Sequence, residues 1–483
     1  MKKQVGIMLI FLATGICAMA QNDRDAFRYA QYSPTGTARY SALAGSMGAF
    51  GSDFSVLSAG NPAGIGLFKR FEFTITPALS YNKNISSYNG EEQREVDYDF
   101  ALNNLGFVCV ISPPTDTKWK MLHFATGLNN LARYDGISTV SGANERSTSF
   151  CEYLAAISNG TKFSSLSGYA RDAWEHYLID SITDATYYSR VDADFNQQQF
   201  RASSGYLNEY IFSLGGNYDD KLFLGATLGI PFFKYYQNTT YTESRNPYYD
   251  TLIVSDEFRS KATGLNLKLG IIYQPVKYLR VGAAFHTPTL YVNVKETFKA
   301  TFDVWNIPFD SALYDISSGG YVTEFNYQLR TPYHAMANVA FIYKNIGFVN
   351  VDYEFVDYTN SEFSSNYSYL FGNENRDIRN YYKGTHTVRI GGELNLQPLV
   401  LRAGYAYSSN PYKKEVEKDG YGSRHTVSFG IGIKGKSVFA DFAYVYKFTQ
   451  DKDVFYDHIS VNPYTNIFTN QLFALTLGWK IKK

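Results

Sequence analysis

Cysteine is nearly missing from this 483-residue chain: Cys17, Cys109 and Cys151 are all it has. Three such residues cannot build a disulfide framework or a cysteine-rich metal site. Histidine is scarce as well, seven in all, with no HExxH and no Cys/His cluster, so neither a metal nor a cofactor is expected. Charge of one sign is missing too. The 45 basic side chains balance 45 acidic ones, which leaves no basic stripe for nucleic acid. After residue 20 no apolar run approaches the roughly 20 residues a spanning helix needs. One literal GxGxxG, Gly430-Ile431-Gly432-Ile433-Lys434-Gly435, lies within a strand pattern and leads into a hairpin, so it cannot cradle a phosphate as a dinucleotide site does. No Ser/His pair stands out, so no catalytic residue is assigned and an enzyme is not expected.

Aromatic residues are what the chain has in excess: 17% of it, with 42 Tyr and 36 Phe. The last hundred residues show how they are arranged. Val427, Phe429, Ile431 and Ile433 alternate with Thr426, Ser428, Gly430 and Gly432, and Phe473, Leu475, Leu477, Trp479 and Ile481 alternate with Ala474, Thr476, Gly478 and Lys480. A period of two puts one set on each face of a sheet. At the other end, Lys2 and Lys3 precede an apolar stretch and Ala18-Met19-Ala20, the pattern of a cleaved signal peptide over 1–20. Export plus alternating strands points to an all-β membrane protein in the bacterial outer membrane, since only helices and closed barrels satisfy the backbone in lipid. Cys109 and Cys151 fall at opposite ends of such a barrel and are read as inert fillers.

Three regions follow: the signal peptide (1–20), a Gly/Ala/Ser-rich segment without alternation (21–69), and strands from 70 to 483. Short turns fall near Pro113-Pro114, Asp219-Asp220, Gln274-Pro275, Lys344-Asn345, Gln397-Pro398 and Gly435-Lys436. Each closes one hairpin, which predicts about fourteen antiparallel strands, an even number as bacterial barrels require. Longer connections are expected near 83–102, 134–204, 240–258, 304–320, 364–384, 409–424 and 450–470, on the outer side by the usual convention. The longest, 134–204, holds two helix-like stretches. Phe150, Leu154 and Ile157 share one spacing, and Ala170, Trp174, Tyr177 and Leu178 another. Charges segregate from the apolar rows: Lys268, Arg280, His286, Asp352, Glu354, Arg389, Glu393 and Arg402 all oppose them. A Lys or Arg costs about 2–4 kcal/mol at the lipid-facing midplane, so this row is assigned to the lumen.

Taken together, these residues resemble the outer-membrane hydrocarbon transporters typified by the long-chain fatty acid transporter and the toluene-uptake channels. The resemblance rests on Asn61-Pro62-Ala63 just before the first strand, the small-residue segment Gly36–Gly66 around it, the strand number, and a helix-bearing loop between strands three and four. It covers essentially the whole mature chain. It implies a fourteen-stranded barrel with a small N-terminal hatch and short helices in an extracellular loop. It also implies passive uptake of a hydrophobic small molecule, fatty acid-like or aromatic, through a hatch-occluded pocket with sideways exit at a kinked third strand. Gly127-Leu128-Asn129-Asn130 is the candidate kink, because Gly and paired Asn weaken regular pairing. Expected partners are the hydrophobic ligand, outer-membrane lipid and lipopolysaccharide, and the barrel-assembly machinery during biogenesis. Two departures stand beside the match. The chain runs past Trp479 into Lys480-Ile481-Lys482-Lys483, and no ligand-contacting residue matches beyond Asn61-Pro62-Ala63.

Each motif has a plainer reading. Asn61-Pro62-Ala63 is a hatch element or a generic turn before a strand. Tyr40, Leu43, Met47, Phe50, Phe54, Leu57 and Ile65 either line a pocket or pack the segment against the wall. Phe150, Leu154, Trp174 and Leu178 form an outer ligand groove or pack the loop helices together. Arg280, Arg389 and Arg402 bind a ligand carboxylate or form lumen ion pairs with Glu393, Asp352 or Glu354. For the whole chain the alternatives are a general diffusion porin and a barrel-anchored, host-facing adhesive protein.

Overall fold

A computed structural model describes residues 23–481, apart from 34, 115–116, 145–147, 192–193, 310–311, 318–319, 366–369, 414–421 and 457–460. The expected signal peptide lies outside the described residues, as do Lys482 and Lys483. No helix among the described residues is long and apolar enough to cross a membrane. The chain instead closes fourteen antiparallel strands into a barrel, as the alternation predicts.

The first strand, Phe71–Tyr88, pairs with the second, Glu91–Ile111, and with the last, Tyr464–Ile481, which closes the cylinder. The third is broken into Trp119–Arg133 and Gly136–Asn144. Strands four to six are the long ones: Phe195–Tyr218, Leu222–Asn246 and Tyr249–Val276. The seventh is split into Leu279–His286 and Leu290–Phe309, and the eighth into Tyr321–Arg330 and His334–Tyr343. Gly347–Asp357, Gly384–Leu396, Leu399–Ser408, Arg424–Lys434 and Val438–Asp453 complete the wall.

Side-chain facing follows the period of two. Leu265, Leu267, Leu269, Ile271 and Tyr273 are exposed on the outside, whereas Asn266 and Lys268 between them are buried. All six predicted short turns fall at one end. At the other end several connections are much shorter than expected. Residues 83–102 are not a loop: two strands run to a tight turn at Asn89-Gly90, both with positive φ (45° and 89°). That pair is a strong hairpin signal, because both central positions of such a turn need positive φ. The connection at 240–258 likewise shrinks to Pro247-Tyr248, between strands that project well beyond the apolar belt.

The third-to-fourth connection is narrower than 134–204, because strands occupy both of its ends. Between them lie the helices Phe150–Ser158 and Gly168–Glu175, then the hairpin Ile179–Thr183/Thr186–Ser189. Ser149 caps the first helix, accepting from the amides of Cys151 and Glu152. These elements pack against Tyr241, Tyr249, Leu252, Phe302 and Val304 of the projecting strands and form a closed apolar cap.

Candidate functional site

Residues 23–68 lie inside the barrel, and their seat is paved with glycine. Gly215, Gly225 and Gly270 stand side by side on strands four, five and six, in direct register. A Cβ at Gly225 would come within 2.2 Å of the Pro62 carbonyl oxygen, and one at Gly270 within 2.1 Å of Asn61 Oδ1. Only hydrogen at those positions lets the segment approach so closely. Asn61 is then held on both sides of its amide. Its Nδ2 donates to the Ile271 carbonyl (3.1 Å), the Ala283 carbonyl (3.2 Å) and Asn338 Oδ1 (3.1 Å), while its Oδ1 accepts from the Ala63 amide (3.0 Å). Pro62 opens the 3-10 helix Pro62–Leu67, where its missing N–H costs nothing. Thus Asn61-Pro62-Ala63 docks onto the wall.

The rest of the segment is fixed in the same way. Leu43 packs on Gly391 and Gly404, and Phe54 lies over the cross-strand pair Gly106–Gly127. Ser46 Oγ donates to the Asn350 carbonyl (2.9 Å) and the Gly48 amide to Asp352 Oδ2 (2.9 Å). Ser58 and Lys268 meet at Glu209, a fully buried cluster. Asp53 accepts from Thr37 Oγ1 (2.8 Å) and the Ser55 amide (2.9 Å). Burial raises its carboxyl above the usual range, against the opposing pull of the Arg39 guanidinium. Leu43, Met47, Phe54, Leu57 and Ile65 are buried in these contacts, Tyr40 reaches the Ala59 carbonyl (3.5 Å), and Phe50 stacks on Phe348 with centroids 3.6 Å apart.

The segment divides the lumen. Toward the short turns lies an open mouth of about 990 Å³, bordered by Arg39, Arg280, Lys344 and Lys434. Toward the long loops lies a second cavity of about 440 Å³. Next to the lower mouth, with which it shares Arg39, Glu72 and Lys434, Thr37, Asp53 and Asp441 help surround a space of about 20 Å³, room for little more than one water. Seven cationic side chains line the upper cavity, Arg28, Lys83, Arg133, Arg201, Arg389, Arg424 and Lys447, against Asp135 as the one acidic lining residue among the described residues. Four of these are ion-paired: Arg28 with Asp25, Arg133 with Asp99 and Asp135, Arg201 with Asp453 and Arg389 with Glu354. Lys83, Arg424 and Lys447 have no carboxylate partner among the described residues. Aromatic surface from Tyr32, Tyr134, Tyr235 and Phe468 completes the lining.

The wall beside this cavity is the irregular part of the barrel. Strands two and three pair from Ile111↔Leu122 up to Asn104↔Asn129 and no further. Above that point the second strand pairs only with the first, and the third only with the fourth. The register against the fourth strand shifts between Asn130 and Ala132, and the third strand breaks before Gly136. Asn129 turns its amide to the interior segment, where Ser55 Oγ donates to its Oδ1 (3.0 Å), while the buried Asn130 donates its Nδ2 within the wall, to the Ala132 carbonyl (3.1 Å) and Asn208 Oδ1 (2.8 Å). Gly127, Leu128 and Asn129 are still paired with the second strand, so of the predicted stretch only Asn130 lies in the irregular part, which runs on to Asp135. Side chains bridge the gap, Arg133 to Asp99, Thr139 Oγ1 to Glu95 (2.6 Å) and Gln93 to Ser141 Oγ (2.9 Å), and at its top Asn89 Nδ2 donates to the Ala143 carbonyl (2.9 Å). On the lipid side, Tyr98 and Phe100 are 66% and 73% exposed beside it.

The remaining predicted residues have other surroundings. Phe150, Leu154 and Leu178 are buried in the cap, and Trp174 stacks on Phe163 (5.5 Å), so these four form a closed core and not an open groove. Their helices are too short to be stable alone and hide their apolar faces against each other and the projecting strands. Cys151 lies in the same core, where burial, with Glu243 adding to it, pushes its thiol well up; Cys109 is at the opposite end, and both are free. Arg402 is paired with Glu393 (2.8 Å) and Asp441 (2.7 Å). Arg280 donates to the Phe50 carbonyl (3.0 Å) and Gln274 (3.0 Å), which ties it to the interior segment.

No protein-family model matches this sequence, and no curated protein does. Solved structures do match in shape. A FadL homologue of Pseudomonas aeruginosa superposes with a TM-score of 0.57 at 13% identity, covering 94% of this chain and 100% of its own. The toluene transporter TodX of P. putida gives 0.55 at 12%, covering 93% and 99%. The toluene transporter TbuX of Ralstonia pickettii gives 0.52 at 15%, covering 94% and 100%. Over almost its whole length, this chain has the fourteen-stranded barrel fold of the FadL- and TodX-type channels.

Proposed function

We propose that this chain is an outer-membrane transporter for passive uptake of hydrophobic small molecules, with residues 23–68 acting as a hatch and ligand leaving sideways between strands two and three. The observation that carries this reading is the loss of pairing above Asn104–Asn129, directly beside the cavity over the hatch. A solute too apolar for a water-filled pore gains nothing from passing straight through the lumen. A gap in the wall offers it the bilayer instead. Backbone groups freed in such a gap must find partners away from lipid, and the buried amides of Asn129 and Asn130 supply donors to the carbonyls of Asn130 and Ala132.

The cavity narrows the ligand class. Unpaired cations beside aromatic surface suit an amphiphile with an anionic head, such as a long-chain carboxylate, better than a bare aromatic hydrocarbon. A general porin fits less well, since the hatch fills its lumen. An adhesive surface protein would draw on the cap alone and leaves the cavity and the gap without a role.

The test is uptake of a radiolabelled C16 carboxylate into proteoliposomes, set beside ion conductance in planar bilayers. A transporter of this kind takes up the carboxylate and holds conductance low until residues 23–68 are deleted. Steady conductance from the intact protein, without saturable carboxylate uptake, would favour the porin.

A further inference from the structure

On the outer wall, five outward-facing residues form one line across strands four to eight. Tyr206 is in register with Lys234, Lys234 with Lys261, Lys261 with Lys295, and Lys295 with Asn326. Every member presents a hydrogen-bond donor, and the three central ones are ammonium groups. Residues directly opposite on neighbouring strands have Cβ atoms about 4.5–5.5 Å apart, and like charges placed so repel. None of the three lysines has a carboxylate within ion-pair distance among the described residues. The nearby Glu257 is taken by Arg259 (2.6 Å) and Lys299 (3.9 Å). The line borders a concavity of about 860 Å³ on the outside of the barrel, which Arg133 and Arg259 also line and where Glu324 and Asp135 stand without an ion pair to any of the three lysines.

Its height along the barrel matters. On strand six the apolar outer row ends at Leu265, and Thr263 and then Lys261 follow toward the long loops. Phe232 lies two residues below Lys234, with Tyr210 stacked on it at 5.1 Å. Aromatic residues of this kind mark the membrane–water interface. The lysines therefore stand just above it, on the side conventionally turned outward, where the phosphates of outer-leaflet glycolipids lie. A row of repelling cations with no carboxylate at ion-pair distance among the described residues is stabilised when an anion bridges it.

We propose that Lys234, Lys261 and Lys295, flanked by Tyr206 and Asn326, form a site for the phosphorylated head group of an outer-leaflet glycolipid. Native mass spectrometry of the full-length protein in detergent, titrated with bisphosphorylated lipid A, tests it. The K234Q/K261Q/K295Q variant should bind about a hundredfold more weakly and K261Q about fivefold more weakly. A K344Q/K436Q control at the short-turn end should bind like wild type. Dephosphorylated lipid A should bind the wild type as weakly as lipid A binds the triple variant. Heat-modifiable gel migration checks that each barrel is closed. If the triple variant fails that check, K261Q decides alone. Undiminished binding by either variant overturns the site. Displacement of lipid A by an equal concentration of inorganic phosphate also overturns it as a lipid site, leaving only a free-anion site.

Discussion

Two patches of the barrel wall meet the same interior segment and behave in opposite ways. At strands four to six, the Gly215–Gly225–Gly270 row receives Asn61-Pro62-Ala63, and the ladder between strands four and five runs from Asn196↔Ser244 to Tyr218↔Leu222 without a shift. At strands two and three, Gly106–Gly127 receives Phe54, and pairing stops just above, at Asn104↔Asn129. Both patches use glycine to bring the segment close. The difference lies in what comes next along the wall. Above the first patch the strands continue with ordinary side chains. Above the second, consecutive asparagines bond one to the segment and one to strand four, and the ladder to strand two is lost. An interior segment can thus be anchored on one side while the ladder is interrupted on the other.

The largest effect should come from Phe54→Ala. It removes a fully buried ring lying on two glycines that cannot close the space, at a cost of about 3–5 kcal/mol. The lost stability is read from the urea midpoint of barrel unfolding in detergent, and the segment should loosen on the gap side first, as faster hydrogen exchange at 53–58 than at 61–66. Gly270→Val breaks the other patch. Its Cβ would drive into Asn61 and the Ala63 amide, 2.9 Å away, for about 1–3 kcal/mol, and planar-bilayer conductance should rise several-fold as the anchored side lifts. Asp99→Asn touches only a partly exposed ion pair, so stability should change by no more than about 1 kcal/mol, yet carboxylate uptake should rise because a bridge across the gap is gone. Lys447→Gln should leave stability unchanged within error while raising the KM for a C16 carboxylate and not that for a C16 alcohol.

The regular part of this molecule was legible in the sequence, because a period of two with charges confined to one row has a single solution in a membrane. Strand number, the short-turn end and the outward rows followed from it. The extents of the outer strands did not. Beyond the lipid, side chains need not alternate, so Thr239–Glu243 reads as loop although it continues a strand. Asn89-Gly90 was the available signal for one of those hairpins. The candidate site was legible only in outline. Asn61-Pro62-Ala63 marks the segment, but its seat comes from glycines on three different strands, which become neighbours only through register. The cationic cavity and the lysine line depend on register in the same way. The spacing of Phe150, Leu154 and Ile157 falls within one helix, whereas the stretch through Ala170 and Trp174 runs past its helix, which ends at Glu175 before Tyr177 and Leu178; which way their apolar faces turn is decided by aromatic residues of distant strands.

The most direct test of lateral exit is to tie the gap shut. Asp99 and Arg133 touch across it, so Asp99→Cys and Arg133→Cys, in a background with Cys109 and Cys151 replaced by Ser, can be joined by a cleavable bis-maleimide. Asn82→Cys with Asn470→Cys, across the regular seam between the first and last strands, serves as the control. Bridging 99 to 133 should abolish carboxylate uptake in proteoliposomes, cleavage of the linker should restore it, and bridging 82 to 470 should change nothing. Full uptake through a barrel bridged between 99 and 133 would contradict the account.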